Sequence, residues 1–425
     1  MKRHINSALK VLLKIFSEKT YSNMAIKGEN LSDMSTKLVY GVLDENVKIE
    51  YILSQLLRKK PQNILYVLLK IGTYAINNLT DVPTFAIVSE CVEVAKMNGK
   101  TENAGFVNAV LKKVANKSYV LPNENDANYF SVTYSKPEWF VNKIVAEYGK
   151  DKAVDILSAP INECEHIRVN SRLSTLDEVK KRLESAGEEY KDSEVGGLIV
   201  RATPTTADMF KKGFITYQSP SSMLAVYALG IKDGANVLDI CSAPGGKAVL
   251  MSELSPNGKI IACDLHEHRL KLIEAYKARM RATNVETLKM DATKFKPEFE
   301  GRFDFVLLDA PCSCFGTFRK HPDVFLSRCE SDLQNIASTQ KEIIKNAVRY
   351  LKNGGALVYS TCTLFDEENK DVVDNAQKNG DVCLEKISFK SSVLNEKFAD
   401  NDGTLQILPK GEYDGFYIAR LRKNG

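Results

Sequence analysis

The stretch Asn236-Val-Leu-Asp-Ile-Cys-Ser-Ala-Pro-Gly-Gly-Lys247 predicts the central fold of this chain. It begins as a short apolar run that is typical of a buried strand, passes through a Gly-rich turn, and continues into a helical pattern that extends to Leu254. A strand that leads through such a turn into a helix gathers backbone N–H groups and the positive helix end at one place. We therefore expect the turn to hold the polar end of a nucleotide-like cofactor.

Strand and helix patterns alternate from this stretch to the end of the chain. This alternation predicts a doubly wound α/β sheet, whose ligands bind at the carboxyl ends of the strands. We place this Rossmann-like domain at residues 206–425. The predicted strands are 237–241, 259–264, 286–291, 303–309, 355–361, 405–408 and 415–421, and the most regular helices are 267–281 and 332–351.

The part of the chain before this domain divides into two regions. Apolar residues recur at helical spacing through residues 1–117, which predicts an all-α bundle that we place at 1–125. Periodicity is lost over 116–135, where we expect a linker. A small α+β unit is predicted at 136–205, with strands at 166–170 and 197–200.

The composition is typical of a soluble globular protein, with 44% hydrophobic and 26% charged residues. The sequence contains no run of about 18 apolar residues, so we expect no membrane span. Lys10 and Lys14 interrupt the apolar stretch after Met1, so we expect an amphipathic helix in place of a signal peptide, and a cytoplasmic protein. Nine cysteines without a CxxC pair argue against a disulfide framework and against a zinc motif.

Positive charge is concentrated in the N-terminal region. Residues 1–135 hold 17 Lys and Arg against 12 Asp and Glu, whereas the rest of the chain holds 41 against 42. This bias suits nucleic-acid binding, although an ordinary solvated helical surface would account for it equally well.

Three predicted strands end in an aspartate: Asp264, Asp291 and Asp309. An acid at the end of the second strand can accept hydrogen bonds from both hydroxyls of a ribose. Asp264 and Asp291 can equally be turn or helix N-cap residues. The Gly-rich turn lacks the Gly-x-Gly-x-x-Gly and Gly-Lys-Ser/Thr spacings, which disfavours a dinucleotide or a nucleoside triphosphate as the ligand.

Two cysteines follow the fourth and fifth strands, in Asp309-Ala-Pro-Cys312-Ser-Cys314 and Ser360-Thr-Cys362. If these strands are adjacent and parallel, both thiols lie at the cofactor edge of the sheet. A single cysteine is more often a small buried apolar residue, but two at strand ends favour chemistry. A metal site of Cys312, Cys314 and Cys362 would need His321 as its fourth ligand, and we expect no metal.

The chain resembles the Sun/Fmu family of RNA 5-methylcytosine methyltransferases over nearly its whole length. Residues 1–117, especially Phe106-Val-Asn-Ala-Val-Leu-Lys112, resemble the RNA-binding helical domain related to NusB. The resemblance thus implies a multidomain protein with a NusB-like bundle, an RRM-like α+β subdomain and a methyltransferase domain. The strings that carry it in the catalytic part are Leu238–Lys247, Leu308-Asp-Ala-Pro-Cys-Ser313, Arg319-Lys-His-Pro-Asp323 and Tyr359-Ser-Thr-Cys-Thr363.

The resemblance implies methyl transfer from S-adenosylmethionine to carbon 5 of a cytosine in small-subunit ribosomal RNA, at position 967 of the 16S molecule. It implies Cys362 as the nucleophile that adds to carbon 6 and Cys312 as the residue that releases the adduct. Asp309 would hydrogen-bond the pyrimidine edge near the methyl donor. Asp264 would bind the ribose hydroxyls and Asp291 the adenine. The loop implied to wrap the methionine end and the ribose consists of Cys241, Ser242, Ala243, Pro244, Gly245, Gly246 and Lys247.

RNA contacts are expected at Arg319, Lys320 and His321, which could hold phosphates that flank the target, or else form a solvated turn. Arg168-Val-Asn170 also resembles a family motif that would add RNA surface. The base must be extruded from a duplex, so we expect the target in a loop or distorted helix. We expect a monomer.

Other functions stay open at the level of sequence. The same chemistry could act on transfer RNA, and a non-catalytic RNA-binding assembly factor could retain the fold. A small-molecule methyltransferase would not need the paired cysteines. The chain departs from the family pattern at Ser242, where alanine is usual, and at Cys314-Phe315, which could alter how the base is held.

Overall fold

The N-terminal part of the chain is a helical bundle, as the apolar periodicity predicts. The computed structural model describes residues 1–18, 20–29, 31–160, 164–398 and 401–425. Ile5, Leu9 and Leu12 lie one helical turn apart and are fully buried, which shows how a single apolar stripe forms the core. The helices are α1 (Lys2–Glu18), α2 (Ser22–Ile26), α3 (Asp33–Asp44), α4 (Asn46–Leu56), α5 (Asn63–Asn78), α6 (Thr84–Met97) and α7 (Ala104–Ala115), with a 3-10 turn at Thr101–Asn103 before α7.

The chain folds as two compact units. The first contains Met1–Ser158 and a later segment, Phe318–Glu330, whereas the second contains Ala159–Thr317 and Ser331–Gly425. The first unit also includes α8 (Tyr129–Tyr134), α9 (Glu138–Tyr148) and α10 (Lys150–Ser158).

These helices differ from the sequence-based division in two ways. The segment 116–135, expected as a linker, contains α8, because Val132 is buried and the Ser131 hydroxyl donates to the Lys136 carbonyl at 2.7 Å. The helices α9 and α10, expected in the small α+β unit, pack with the bundle. Phe140 is fully buried there, and its ring contacts those of Phe318 and Phe325 in the later segment.

The second unit begins with a small antiparallel sheet. Its described strands have the order β2-β3-β1-β4. The sequence predicted β1, the wholly apolar β3 and α11, but not β2, α12 or β4. Strands β2 and β4 are three residues long and include polar residues, which is too short and too mixed a pattern to indicate a strand. The elements are β1 (Glu165–Val169), α11 (Leu176–Ser185), β2 (Tyr190–Asp192), β3 (Leu198–Val200), α12 (Pro204–Lys211) and β4 (Ile215–Tyr217), so the sheet extends beyond the predicted end of this unit at residue 205.

The remainder of the second unit is the doubly wound α/β domain, which confirms the predicted fold class. Short 3-10 turns lie at Pro297–Phe299 and Phe315–Thr317. One helix in this part of the chain, α16 (Val324–Ser327), lies in the segment that belongs to the first unit. The other elements of the domain are α13 (Pro220–Ala228), β5 (Asn236–Asp239), α14 (Gly246–Leu254), β6 (Lys259–Asp264), α15 (Glu267–Arg279), β7 (Val285–Lys289), β8 (Phe303–Asp309), α17 (Asp332–Tyr350), β9 (Leu351–Thr361), α18 (Lys370–Gln377), β10 (Val382–Leu384), α19 (Ser392–Lys397), β11 (Thr404–Ile407) and β12 (Phe416–Lys423).

The sheet of this domain has the order β10-β12-β9-β8-β5-β6-β7, with β11 paired to β12. The strands β7, β6, β5, β8 and β9 are parallel, whereas β12 runs antiparallel to β9. Val237 faces a core with Val249 and Ile273, and Leu238 faces a second core with Ile344 and Val372. Because both faces are covered, the polar groups of the parallel strands gather at their carboxyl ends.

No helix in the described part of the chain is long and apolar enough to cross a membrane.

Candidate active site

The loop from Cys241 to Lys247 connects the end of β5 to the first turn of α14. The Ser242 N–H donates to the Cys263 carbonyl of β6 at 2.8 Å, and the Ser242 carbonyl accepts from the Gly245 N–H at 2.8 Å. Gly245 adopts φ +107°, and a Cβ there would lie 3.1 Å from the Ile273 side chain. The tight turn therefore requires glycine, and it directs the N–H groups of the first turn of α14 toward the carboxyl edge of the sheet.

Asp264 lies beside this loop at the end of β6. The side chain is almost fully buried, and its carboxylate accepts from the backbone N–H groups of Ala243 at 3.4 Å and His266 at 3.2 Å. The Arg269 Nε lies 3.5 Å from the same carboxylate. The structure thus brings Asp264 and the loop together at one edge, as a ribose site would require.

The contacts described for Asp291 are local. Its Oδ1 accepts from the N–H and the hydroxyl of Thr293 at 3.1 and 2.6 Å. The hydroxyl bond is the main reason that the pKa of Asp291 is lowered. These are the contacts of a turn residue, which was the alternative left open for this position.

Asp239 is a site residue that the sequence argument did not single out. It is fully buried at the end of β5, and among the described residues its carboxylate has no donor other than the neighbouring Ser242 side chain. Burial raises the pKa of Asp239 to about 7. An acid inside the otherwise apolar run Val237-Leu-Asp-Ile240 was the signal for it.

The orphaned acceptors test whether the loop suits S-adenosylmethionine. In the described ranges, the buried Ser242 Oγ has no neighbour to pair with except the Asp239 carboxylate, so both groups keep acceptor capacity that is not used. Buried acceptors without donors cost free energy, so the loop is complementary to a ligand that carries donors. S-adenosylmethionine carries an amino group and two ribose hydroxyls, and the residues at this loop therefore fit it.

Asp309, at the end of β8, is held from two sides. Lys247 Nζ lies 2.6 Å from its Oδ2, and the Ser360 hydroxyl donates to its Oδ1 at 2.8 Å. Burial lowers the pKa of Lys247, but the charge of Asp309, the hydrogen bond to it and the charge of Asp239 together raise the pKa above its usual value. The ion pair joins the loop 241–247 to the strand that leads to Cys312.

Cys312 and Cys362 meet at the carboxyl ends of β8 and β9. These strands are parallel neighbours, with Asp309 opposite Ser360, and the two Sγ atoms lie 3.4 Å apart. Hydrogen bonding to the Cys312 thiol, followed by Cys314 and burial, raises the pKa of Cys362 well above its usual value. Cys362 is therefore a thiol in the absence of substrate, and its use as a nucleophile requires that a proton be removed.

Glu368 is a second site residue that sequence reasoning missed. Its fully buried carboxylate accepts from the N–H and hydroxyl of Ser313, at 2.8 and 2.5 Å, and from Gln340 Nε2 at 3.2 Å. Gln340 Nε2 also donates to the Pro311 carbonyl at 2.9 Å. Burial raises the pKa of Glu368 to about 7. The network fixes the loop that carries Cys312, yet within the acidic run Asp366-Glu-Glu368 no pattern marks this residue as buried.

The residues expected to contact RNA differ in exposure. Lys320 is half-buried and His321 is exposed, so both can reach a phosphate. Arg319 is only 4% exposed, whereas a phosphate contact requires an accessible guanidinium. All three belong to the segment that packs in the first unit.

The motif Arg168-Val-Asn170 has a structural role in the second unit. Arg168 is buried and donates to Gln218 Oε1 at 2.7 Å and Glu253 Oε2 at 2.6 Å. Asn170 is also buried and donates to the carbonyls of Gly213 and Met280. These side chains connect the small sheet to the α/β domain and are not available as RNA surface.

Comparison with known proteins identifies both parts of the chain. Residues 226–422 match the model of the 16S rRNA methyltransferase RsmB/F family, and residues 5–116 match the NusB family. A probable ribosomal RNA small subunit methyltransferase B from Bacillus subtilis is 33% identical over 98% of both chains.

Two solved structures share the fold. The crystal structure of PH0851 superimposes with a TM-score of 0.83 and 24% identity over 100% of this chain and 99% of that one. The crystal structure of NSun6 from Pyrococcus horikoshii with SFG superimposes with a TM-score of 0.59 and 23% identity over 68% of this chain and 98% of that one.

Proposed function

The chain belongs to the RsmB/F family of 16S rRNA methyltransferases, and we propose that it methylates carbon 5 of a cytosine through a covalent adduct with Cys362. Membership makes it an S-adenosylmethionine-dependent RNA methyltransferase with a NusB-type N-terminal domain. The substrate we propose is small-subunit ribosomal RNA, with cytosine 967 of the 16S molecule as the target.

One observation carries this proposal: two thiols lie 3.4 Å apart at the ends of adjacent parallel strands, next to Asp309. Methyl transfer to an oxygen or nitrogen needs no thiol, because those atoms already have a lone pair. Carbon 5 of cytosine is a poor nucleophile, and a sulfur that adds at carbon 6 makes it enamine-like. The paired thiols therefore favour a pyrimidine carbon as the acceptor.

We propose the following roles for the reacting residues. The Cys362 thiol gives its proton to water and its Sγ forms a bond to carbon 6, while the electrons of the carbon 5–carbon 6 double bond shift toward the ring nitrogen and carbonyl. Asp309, positioned by Lys247 and Ser360, accepts a hydrogen bond from the protonated pyrimidine edge, so the ring nitrogen that receives these electrons carries a proton and no full negative charge develops. After carbon 5 is methylated, Cys312 as a thiolate base accepts the proton of carbon 5, the carbon 5–carbon 6 double bond forms again, and the bond from carbon 6 to sulfur breaks with its electron pair returning to Cys362.

The cofactor site we propose is the edge formed by the loop 241–247, Asp239 and Asp264. S-adenosylmethionine supplies an electrophilic methyl group. Asp239 and Ser242 provide buried acceptors for its donors, and Asp264 provides acceptors for the ribose hydroxyls. We retain Asp291 as the adenine contact, which requires its carboxylate to accept a further hydrogen bond beside those from Thr293. No metal is required in this scheme.

We propose that Lys320 and His321 contact phosphates of an extruded target nucleotide, and that Arg319 supports their segment from within the first unit. A ribosomal substrate is compatible with a cytoplasmic monomer. Transfer RNA remains the second candidate substrate, because the same thiol geometry would serve it.

The nucleophile is tested by Cys362→Ala. We expect this variant to lose methyl transfer and every covalent protein–RNA adduct, because no other sulfur is proposed to add to carbon 6. Methyl incorporation into unmodified 16S RNA and denaturing gel electrophoresis give the two measurements. The control is Cys383→Ala, which removes an exposed thiol on β10 and should leave the protein active.

The release role is tested by Cys312→Ala. This variant should form the adduct at Cys362 but fail to resolve it, so a covalent protein–RNA complex should accumulate. The opposite pattern, with trapping by Cys362→Ala, would show that the two roles are exchanged. Bisulfite sequencing of ribosomal and transfer RNA from a deletion strain identifies the substrate and the nucleotide.

A further inference from the structure

Three cysteine sulfurs converge at the end of β8 and β9. The Sγ atoms of Cys312, Cys314 and Cys362 lie within 4.8 Å of one another, with 3.4 Å between Cys312 and Cys362 and 3.9 Å between Cys312 and Cys314. All three are thiols and not disulfides. Two of them are assigned to the methylation reaction above, whereas Cys314 has no part in it.

The backbone at Cys314 is unusual. Its φ is +65°, a left-handed conformation that residues other than glycine, asparagine and aspartate seldom adopt. The Cys314 side chain is exposed, and its thiol lies 3.6 Å from the Cys312 carbonyl oxygen. Such conformations cluster at ligand-binding and catalytic sites, where the surrounding structure maintains them.

We propose that Cys312, Cys314 and Cys362 form a binding site for one thiophilic divalent cation, of the Zn²⁺ or Cd²⁺ class. Zinc–thiolate bonds of about 2.3 Å in tetrahedral geometry place sulfur ligands roughly 3.8 Å apart, so the site needs only small adjustments. Thiolate ligands select this class of cation over Mg²⁺ and Ca²⁺.

The binding step is balanced by the release of protons. One cation binds three thiols, forms three metal–sulfur bonds, releases three protons and gives a complex with one negative charge. The ammonium group of Lys247 interacts electrostatically with a Cys362 thiolate and can offset part of the negative charge of the complex. The fourth position can be filled by water, so the site does not depend on a further protein ligand. Because protons are released, affinity should fall as the pH is lowered.

Occupancy of this site would inhibit methylation. The cation would take up the sulfur of Cys362, which then could not add to carbon 6 of the cytosine. This consequence rests on the proposed function, whereas cation binding does not. A cysteine at position 314 therefore makes the active site sensitive to thiophilic cations.

Binding is tested with the full-length, metal-free protein titrated with Cd²⁺. We expect cadmium–thiolate absorption in the near ultraviolet to saturate at one equivalent. In Cys314→Ser the affinity should fall at least tenfold, since even outer-shell changes cost about 10–100-fold at metal sites. Cys383→Ser, at the exposed thiol on β10, should bind as the unaltered protein does.

Inhibition is tested by methyl-transfer assays with increasing Zn²⁺. Because Cys314 also hydrogen-bonds the Cys362 thiol, inhibition is measured relative to the rate of each variant without Zn²⁺, and Cys314→Ser should require at least tenfold more Zn²⁺ for half inhibition. Equal Cd²⁺ affinity in Cys314→Ser and the unaltered protein would overturn the proposal, as would the absence of thiolate absorption at one equivalent. If Cd²⁺ binds as expected but no RNA is methylated, the proposed function fails and the cation site stands.

Discussion

At the scale of single residues, the site is set by buried carboxylates whose partners come from distant parts of the sequence. Among the described residues, Asp239 has only the neighbouring Ser242 side chain as a donor, whereas Glu368 has three donors, from Ser313 and Gln340. Both have a raised pKa of about 7 because of burial. Asp239, which has fewer donors, is suited to bind a ligand, whereas Glu368 is suited to hold the loop that carries Cys312.

The pKa of Glu368 predicts a specific pH dependence of stability. Glutamate in the unfolded chain has its usual pKa of 4.5, so between about 4.5 and 7 the folded protein binds more protons than the unfolded protein. The contribution of Glu368 to the free energy of unfolding therefore decreases as the pH rises through this window. Glu368→Gln cannot ionise, so its stability relative to the unaltered protein should improve by up to roughly 3 kcal/mol between pH 4.5 and 7.

Urea denaturation of both proteins at pH 5 and pH 8 measures this difference. Parallel stability curves for the two proteins would contradict an elevated pKa at Glu368. The rate of methyl transfer, measured on the same samples, reports whether the Cys312 loop keeps its position.

At the scale of elements, the end of β9 is locked to the loop after β8. The Gly316 N–H donates to the Cys362 carbonyl at 2.8 Å, and the Gly316 carbonyl accepts from the Gly415 N–H at 2.9 Å. A Cβ at Gly316 would lie 2.1 Å from the Gly415 carbonyl oxygen and 2.9 Å from that of Cys362. These are backbone atoms, so the segments could not approach as closely with any larger residue.

Gly316→Ala should therefore displace the loop that carries Cys312 relative to Cys362. We expect the rate of methyl transfer to fall by about 100-fold, the scale of loss for a displacement of about 1 Å at a reacting group. Steady-state kinetics measures the loss, and thermal unfolding shows whether the fold is retained. Gly105→Ala, in α7 with open space around the added methyl group, is the control and should behave as the unaltered protein.

The elements themselves were largely predictable. Strands β5 to β9 and helices α15 and α17 lie where hydrophobic periodicity placed them, within a few residues, because each buries an apolar face of its own. Strands β2 and β4 were missed because each has only three residues and includes polar ones, whereas β3, which is equally short, is an unbroken apolar run.

At the scale of the whole molecule, the chain leaves the second unit at Thr317 and re-enters it at Ser331. The intervening segment is held in the first unit by Asp323, whose buried carboxylate accepts from the N–H and hydroxyl of Ser22 at 2.9 and 2.8 Å. The loop of Cys312 thus continues directly into a segment that is part of the N-terminal unit. No sequence pattern predicted that Arg319-Lys-His-Pro-Asp323 would belong to a different unit from Cys312 and Cys362.

Asp323→Ala should weaken this attachment. It leaves the Ser22 N–H buried without a partner, at a cost of about 1–3 kcal/mol. Hydrogen exchange of the amides in α2 should accelerate accordingly, and Asp81→Ala, an exposed carboxylate in the turn before α6, should leave exchange unchanged. Unaltered exchange in Asp323→Ala would show that the contact does not hold the segment.

The sequence by itself determined the family, the order of the helical and methyltransferase domains, and the motifs that contain the loop 241–247 and the two cysteines, because each is encoded by residues that are close together in the chain or by a short motif. The tertiary structure alone decided the 3.4 Å meeting of Cys312 and Cys362, the burial of Arg319, Asp239 and Glu368, and the third thiol beside the first two. Burial and distance depend on residues up to hundreds of positions apart, such as Ser22 and Asp323, and no local pattern records which of them pack together.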